Sequence, residues 1–213
     1  MTFKSEYSVL KELVRYRLFT VKPQFVGELI NMAIWVACMV LVMGYLMQSF
    51  GLAKDFGIFL FGGVLAIVGI QEFWTMCPNL LVDIEGDNLF GYHATLPCTL
   101  RIVLLAYVLG QTIVTTALSL FILPLGKILL WNQFLLANVS WLSLLCVILI
   151  ANLFFAIVGL WTASVVGSME KLGTIWNRIL FPMWFFGGFQ FSYSSVHSSW
   201  PIFSYFGFCK CPE

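Results

Sequence analysis

Residues 140–163 read SWLSLLCVILIANLFFAIVGLWTA and contain no Asp, Glu, Lys or Arg. An α-helix rises about 1.5 Å per residue, so about 20 apolar residues cross the roughly 30 Å hydrocarbon core of a bilayer. The stretch is therefore long and apolar enough to span a membrane. Four other stretches meet the same criterion, and the sequence predicts about five spans in all: 25–48, 56–76, 102–124, 140–163 and 175–196.

The composition of the whole chain of 213 residues is typical of a membrane protein. Hydrophobic residues make up 61% of it, charged residues 10%, and the mean hydropathy is +0.95. Water-soluble domains are about 45–50% apolar and about 25% charged. The net charge of +1 provides no basic surface for a nucleic acid. We predict an all-α fold, a polytopic transmembrane helix bundle, with no nucleic-acid partner.

The segment before the first span, residues 1–24, mixes charged and apolar side chains. Apolar residues recur there at helical spacing: Tyr7, Leu10, Val14 and Leu18. This pattern predicts an amphipathic interfacial helix over about 4–20, with a basic face toward anionic membrane lipid. Pro23 is expected to break the helix before the first span. A solvated cytoplasmic helix is the alternative interpretation.

The distribution of Lys and Arg predicts the orientation of the transmembrane domain, residues 25–213, in the membrane. With five spans and a cytoplasmic N-terminus, eight of the 11 basic residues lie inside: Lys4, Lys11, Arg15, Arg17, Lys22, Arg101, Lys171 and Arg178. Three lie outside: Lys54, Lys127 and Lys210. The positive-inside rule favours this orientation in a plasma (inner) membrane. The C-terminal segment, 197–213, is then on the outer side.

The sequence contains none of the common catalytic or metal-binding motifs. The Walker loop G-x-x-x-x-G-K-[ST], the zinc motif H-E-x-x-H and the nucleophile elbow G-x-S-x-G are absent. His93 and His197 fall on opposite sides of the membrane in the predicted topology, so they cannot share a metal ion. We expect no catalytic residue, no metal site and no cofactor in this chain, and we do not predict an enzyme.

Polar and small residues inside the spans are the next candidates. Gln111 and Asn152 fall near the middles of the third and fourth spans. Such side chains more often hydrogen-bond neighbouring helices than bind cargo, although both interpretations are possible. Gly159, Ala163 and Gly167 recur at intervals of four, a spacing that lets two helix backbones approach closely. We predict a helix-packing surface there.

The inner loop between the second and third spans is acidic where lipid would favour basic residues. It contains Asp83, Glu85 and Asp87 and ends near Pro97 and Arg101. A short helix over about 83–94 would expose the carboxylates to the cytoplasm, where it could dock into a groove on a partner. A plain solvated loop is the other interpretation.

At these residues the chain resembles the ABC-2-type permease family, the membrane subunits of ATP-binding-cassette exporters. The resemblance follows a loose loop pattern from Glu85 to Pro97, then Arg101 and an apolar run over 102–110. It continues in the fifth span, where Phe181-Pro-Met-Trp-Phe-Phe-Gly-Gly188 matches a Pro followed by an aromatic-rich Gly pair. The family typically has six spans, whereas no apolar run of about 20 residues follows residue 196.

The resemblance implies a permease coupled to a separate cytoplasmic ABC ATPase, which would bind ATP and Mg²⁺, and paired with a second permease subunit as a homodimer or heterodimer. It implies two groups of site residues. The ATPase-coupling surface comprises Asp83, Glu85, Asp87, Lys11 and Arg15. The substrate path comprises Phe181, Pro182, Trp184, Gly187 and Gly188, for which lipid-facing bulk is the alternative.

Two other functions fit a compact multi-span protein. A membrane enzyme acting on lipid would need a polar cluster near one interface, and the candidates are Asp83, Glu85, Asp87 and His93. A scaffold that transports nothing would need neither an ATPase nor an active site. Copurification distinguishes them, because only the permease is expected to bring an ATPase with it. The sequence does not identify a cargo.

Overall fold

The computed structural model describes residues 3–46, 56–85, 98–130 and 140–182. These residues form helices, and no strand occurs among them. Helix α1 covers Phe3–Met39 and continues as a π-helical segment, Val40–Leu46; α2 covers Phe56–Glu85; α3 covers Leu100–Leu129; α4 covers Trp141–Val166; and α5 covers Met169–Ile175 and continues as a π-helical segment, Trp176–Leu180. The predicted all-α class is confirmed.

Three helical stretches in the described residues are long and apolar enough to cross a membrane: Glu6–Leu46, Leu100–Leu129 and Trp141–Val166. A fourth is present if the two arms of α2, Gly57–Leu65 and Ile67–Val82, count as one span bent by 56°. The predicted fifth span begins within α5, and its residues after 182 lie outside the described part of the chain. The predicted number of five spans was therefore approximate.

The contacts between helices show that the direction of the chain alternates from one helix to the next in the bundle. Helices α1 and α3 run in the same direction, because Arg17 lies over Tyr107 and Phe25 packs edge-on against Phe121, with ring centroids 5.9 Å apart. Helices α2 and α4 also share a direction. Gly69 of α2 lies beside Asn152 of α4, and Phe73 and Met76, one to two turns later in α2, lie beside Gly159 of α4.

The two pairs of helices are antiparallel to each other. Phe61, near the start of α2, contacts Gly126 near the end of α3. Helix α5 then packs against α2 and α4. As a result, the start of α1, the end of α2, the start of α3 and the end of α4 lie at one end of the bundle.

The predicted break at Pro23 was wrong, because α1 continues through this residue. The interfacial helix and the first span are one helix, whose N-terminal part lies along α3. Pro23 lacks an N–H, so the carbonyl of Phe19 loses its usual partner. Thr20 adds a side-chain hydrogen bond of 3.1 Å to the Tyr16 carbonyl in the same turn. Membrane helices tolerate proline because leaving the helix would expose more unpaired backbone groups.

The second span also extends further than predicted, since α2 continues through Pro78 to Glu85. The side chains around this proline, Cys77, Leu80 and Leu81, are buried, and their packing favours the helix. Asp83 and Glu85 therefore belong to the last turn of α2 and not to a separate loop helix. The remainder of the predicted 83–94 helix lies outside the described residues.

Buried apolar residues form two clusters along the bundle. The first apolar cluster joins α1, α2 and α3: Met32, Val36, Val40, Leu60, Phe61, Val64, Leu65, Val68, Val114, Leu118, Ile122, Leu123 and Leu130. The second joins α2, α3, α4 and α5: Ile70, Phe73, Met76, Cys77, Leu80, Leu81, Tyr107, Ala163, Val166, Leu172 and Leu180. Between them, near Gly69 on α2, the bundle interior becomes polar.

Candidate functional site

A polar seam occupies the middle of the bundle. We define it as the buried polar residues of α3 together with one residue of α4: Gln111, Thr112, Thr115, Thr116, Ser119 and Asn152. The α3 residues form two rows at helical spacing, 111–115–119 and 112–116–119, with steps of three or four positions, so they share one side of the helix. Polar side chains at membrane depth are costly unless they are hydrogen-bonded.

The hydroxyl groups of the seam are satisfied mainly within α3. Thr112 donates to the Val108 carbonyl at 2.8 Å, Thr115 to the Gln111 carbonyl at 3.0 Å, and Ser119 to the Thr115 carbonyl at 2.9 Å. These bonds to the preceding turn remove the cost of an unpaired hydroxyl proton. They also leave the hydroxyl oxygens free to accept a hydrogen bond from another helix.

Asn152 uses that free capacity. Its Nδ2 donates to Oγ1 of Thr116 and to Oγ of Ser119, both at 3.3 Å, and the residue is 1% exposed. The single proton of Ser119 is already donated to a carbonyl, so its oxygen can only accept here. The prediction that Asn152 bonds a neighbouring helix is confirmed. This amide joins α4 to α3.

The other end of the same amide points to α2. Oδ1 of Asn152 is buried and has no hydrogen-bond partner. A Cβ placed on Gly69 would lie 2.9 Å from this oxygen and 2.7 Å from Cδ2 of Phe155. No side chain fits at Gly69, so three helices meet at this amide. The sequence prediction identified Asn152 but missed Gly69.

A second polar contact, between α1 and α3, involves Arg17. The guanidinium carbon of Arg17 is 4.0 Å from the centre of the Tyr107 ring, and its Nε is buried without a hydrogen-bond partner. A Cβ at Gly110 would lie 2.8 Å from Cγ of Arg17. The arginine side chain therefore occupies the space that this glycine leaves free. A cation over an aromatic ring contributes about 0.5–2 kcal/mol, more where water is excluded.

The predicted ATPase-coupling residues lie at the same end of the bundle. Lys11 and Arg15 are exposed on α1, where Arg15 is 3.9 Å from Glu12 and 5.8 Å from the Phe19 ring centre. Asp83 and Glu85 lie in the last turn of α2, at that same end. Asp87 lies outside the described residues.

The predicted substrate path is described only at its start. Phe181 and Pro182 follow the π-helical segment after α5, and Phe181 is exposed. Trp184, Gly187 and Gly188 lie outside the described residues. The structure therefore gives no arrangement for this group as a whole.

The residues of the predicted packing surface on α4 have two different roles. Gly159 lies against α2: a Cβ there would be 3.3 Å from the sulfur of Met76, and its carbonyl accepts a hydrogen bond from Cys77 at 3.3 Å. Ala163 is buried in the second apolar cluster. Gly167 was wrongly assigned to this surface. It ends α4 with φ of +57°, and no atom lies within 4 Å of its Cβ position.

Charged residues are concentrated at one end of the bundle, which we call the charged end. Its described members are Lys4, Glu6, Lys11, Glu12, Arg15, Arg17, Asp83, Glu85, Arg101, Glu170, Lys171 and Arg178. Of the other charged residues in the described helices, Lys127 lies close to the opposite end, Lys22 and Glu28 lie along α1, and Glu72 lies along α2. Within the described residues, no group of three or more His, Cys, Asp or Glu side chains comes together to hold a metal ion.

Comparisons of this chain with protein-family models, with curated proteins and with solved structures find no match.

Proposed function

We propose that this chain is the membrane-spanning permease subunit of an ABC-type exporter, and that its charged end docks on a separate cytoplasmic ATPase. The main support is the concentration of charge at one end of the bundle, which holds 12 of the 16 charged residues in the described helices. An end of this kind needs a partner or water, whereas the rest of the surface suits lipid. Seven of the 11 basic residues, including Lys4 at the start of α1, belong to this end, and the positive-inside rule favours a cytoplasmic position for it.

The end of α2 supplies the more specific argument. Asp83 and Glu85 lie at the C-terminus of a helix, where the helix dipole disfavours negative charge by about 0.3–1 kcal/mol per residue. No basic residue lies in that last turn to offset the cost. A positively charged surface on the ATPase would offset it. The two carboxylates therefore destabilise the isolated end of α2, and contact with a positively charged partner would remove this cost.

The fold also provides a route for motion from that surface into the membrane. Glu85 and Gly69 are 16 residues apart on one helix, which corresponds to about 24 Å. A displacement of the end of α2 would be transmitted along the helix to Gly69, which contacts Asn152 of α4. The bend of α2, between Leu65 and Ile67, lies less than one turn before Gly69 in the sequence. Transport requires a bundle with two arrangements whose balance the ATPase shifts. The contact between Gly69 and Asn152 is the place where we expect α2 to move relative to α4.

Charge reversal at Glu85 tests the proposal. The chain would be coexpressed with a cytoplasmic ABC ATPase and reconstituted into vesicles, and permease-stimulated ATP hydrolysis would be measured. We expect Glu85→Lys to lower the stimulation about tenfold or more, because the docking charge is inverted. Lys127→Glu, at the opposite end of the bundle, is the matched control and should leave the stimulation unchanged.

The proposal fails if the wild-type chain, monodisperse in detergent, neither binds the ATPase nor stimulates it. It also loses its docking surface if Glu85→Lys and Lys127→Glu have equal effects. Labelling of Glu170→Cys and Ile128→Cys with a membrane-impermeant maleimide, in a chain whose six native cysteines are replaced by serine, gives the orientation independently. In intact cells only Ile128→Cys should react, because the charged end is expected inside.

A further inference from the structure

A groove lies between the N-terminal parts of α1 and α3. It has a volume of about 270 Å³ and is lined by Glu6, Tyr7, Leu10, Arg101, Ile102 and Leu105. Four of these residues are apolar or aromatic, one is an acid and one is a base. Tyr7 is 67% exposed and Leu105 is 50% exposed, so the groove opens to the surroundings of the bundle.

The groove lies at the level of the lipid headgroups. Arg101 directly precedes the apolar run that begins at Ile102, and Lys127 is 26 residues further along the same helix. This separation corresponds to about 39 Å, which exceeds the hydrocarbon core and reaches the headgroup layer on each side. Ile102 and Leu105, which line the groove on the side of the hydrocarbon core, therefore border the acyl chains. Arg101 borders the phosphates.

The two charges in the groove are available to a ligand. The ion pair recorded in the described part of the chain joins Arg15 to Glu12 and involves neither Glu6 nor Arg101. A ligand that carries both a negative and a positive group would satisfy each of them. A phosphate on Arg101 would gain a charge-assisted hydrogen bond, and so would an ammonium group on Glu6.

We propose that this groove binds one phospholipid whose headgroup carries a primary ammonium group. The phosphate contacts Arg101, the ammonium contacts Glu6, and the first part of an acyl chain covers Ile102 and Leu105. Complete ligand pockets are about 300–1,000 Å³, so a groove of this size holds the headgroup and glycerol region while the chains remain in the bilayer. This inference does not depend on the proposed ATPase.

Charge complementarity separates this lipid from other classes. A choline headgroup has no N–H to donate to Glu6, and its methyl groups enlarge the cation. A glycerol headgroup has the phosphate but no positive group, so it would leave the carboxylate of Glu6 next to an anion. The expected order of retention is therefore ethanolamine lipid first, followed by glycerol and choline lipids.

The test uses the full chain in nanodiscs that contain equal amounts of phosphatidylethanolamine, phosphatidylglycerol and phosphatidylcholine. The protein is then released into mild detergent, and the retained lipids are counted by headgroup with native mass spectrometry. We expect the ethanolamine lipid to be enriched about fivefold or more. Arg101→Gln should reduce the retention of all three lipids, whereas Glu6→Gln should remove the preference and keep the total.

Glu170→Gln and Lys171→Gln, both exposed at the same end of the bundle, are the matched controls and should change neither value. The thermal unfolding midpoint of each variant in detergent confirms that it is folded. Equal retention of all headgroups by the wild type would overturn the proposal. So would a preference that persists in Glu6→Gln, because Glu6 would then not select the headgroup.

Discussion

Helices α3 and α4 are both apolar enough to cross a membrane, yet they occupy different surroundings. In the apolar window of α3, 61% of the residues are buried inside the protein, whereas in α4 the share is 22%. Helix α3 carries the polar seam and contacts α1, α2 and α4, while much of α4 faces outward. Apolar length therefore determines whether a segment crosses the membrane, and the placement of its polar residues determines how central it is.

The difference follows from what lipid can solvate. Hydrocarbon chains accommodate the exposed Leu, Ile and Phe side chains of α4 as well as another helix would, so α4 gains little from hiding them. Thr and Ser of α3 gain more from an interior position, because lipid offers no hydrogen bonds. Three variant sets test this comparison, and the largest effect is expected within α4 itself.

Ile148 and Ile150 of α4 differ in exposure, with 1% and 68% of their surfaces accessible. We expect Ile148→Ala to lower the free energy of unfolding by about 2–5 kcal/mol, because it leaves a cavity between helices. Ile150→Ala should change it by less than about 0.5 kcal/mol, because lipid fills the space. Unfolding by sodium dodecyl sulfate in mixed micelles, followed by circular dichroism, measures both. Equal losses would mean that α4 is buried in an assembly on both faces.

Gly126 of α3 and Gly62 of α2 form the second test. A Cβ on Gly126 would overlap the ring of Phe61, which is fully buried, whereas no atom lies within 4 Å of the Cβ position of Gly62. Gly126→Ala should cost about 1–3 kcal/mol through overpacking. Gly62→Ala should cost nothing and can gain up to about 1 kcal/mol from helix propensity. The same unfolding assay applies, and an equal response of the two sites would contradict the packing of α2 on α3.

The smallest effect concerns the hydrogen bonds of the seam. A double-mutant cycle of Asn152→Ala with Ser119→Ala should give a coupling free energy of about 0.6–1.7 kcal/mol, the range found for polar pairs between membrane helices. Ser164→Ala is the control, because its hydroxyl is exposed and donates only within α4. A coupling of zero in the cycle would show that the Asn152 amide does not hold α4 to α3.

The sequence predicted some elements well for a physical reason. Apolar length alone defines the third and fourth spans, and the predicted 102–124 and 140–163 lie close to Leu100–Leu129 and Trp141–Val166. Pro23 misled the prediction, because the local cost of a proline is visible in sequence and the packing that outweighs it is not. The second span was predicted to end at residue 76, whereas α2 continues through Pro78 for the same reason. The elements that depend on length were predictable, and those that depend on packing were not.

The candidate site divides in the same way. A lone Asn in an apolar span indicates a hydrogen bond to another helix, so Asn152 was found. Gly69, Gly110 and Gly126 were missed, because the side chains that need their space lie on other helices. Gly167 fitted the small-residue spacing by position, although its backbone conformation shows that it ends α4. Spacing within one helix does not distinguish a packing glycine from a terminating one.

The stacking of Arg17 on Tyr107 limits how α1 can slide along α3. A shift by one helical turn, about 5.4 Å, would move the guanidinium off the ring and away from the gap at Gly110. The two helices therefore have one preferred register over this part of their interface. A force applied to the N-terminus of α1 would therefore displace α3 as well, and the two helices would move as one rigid unit.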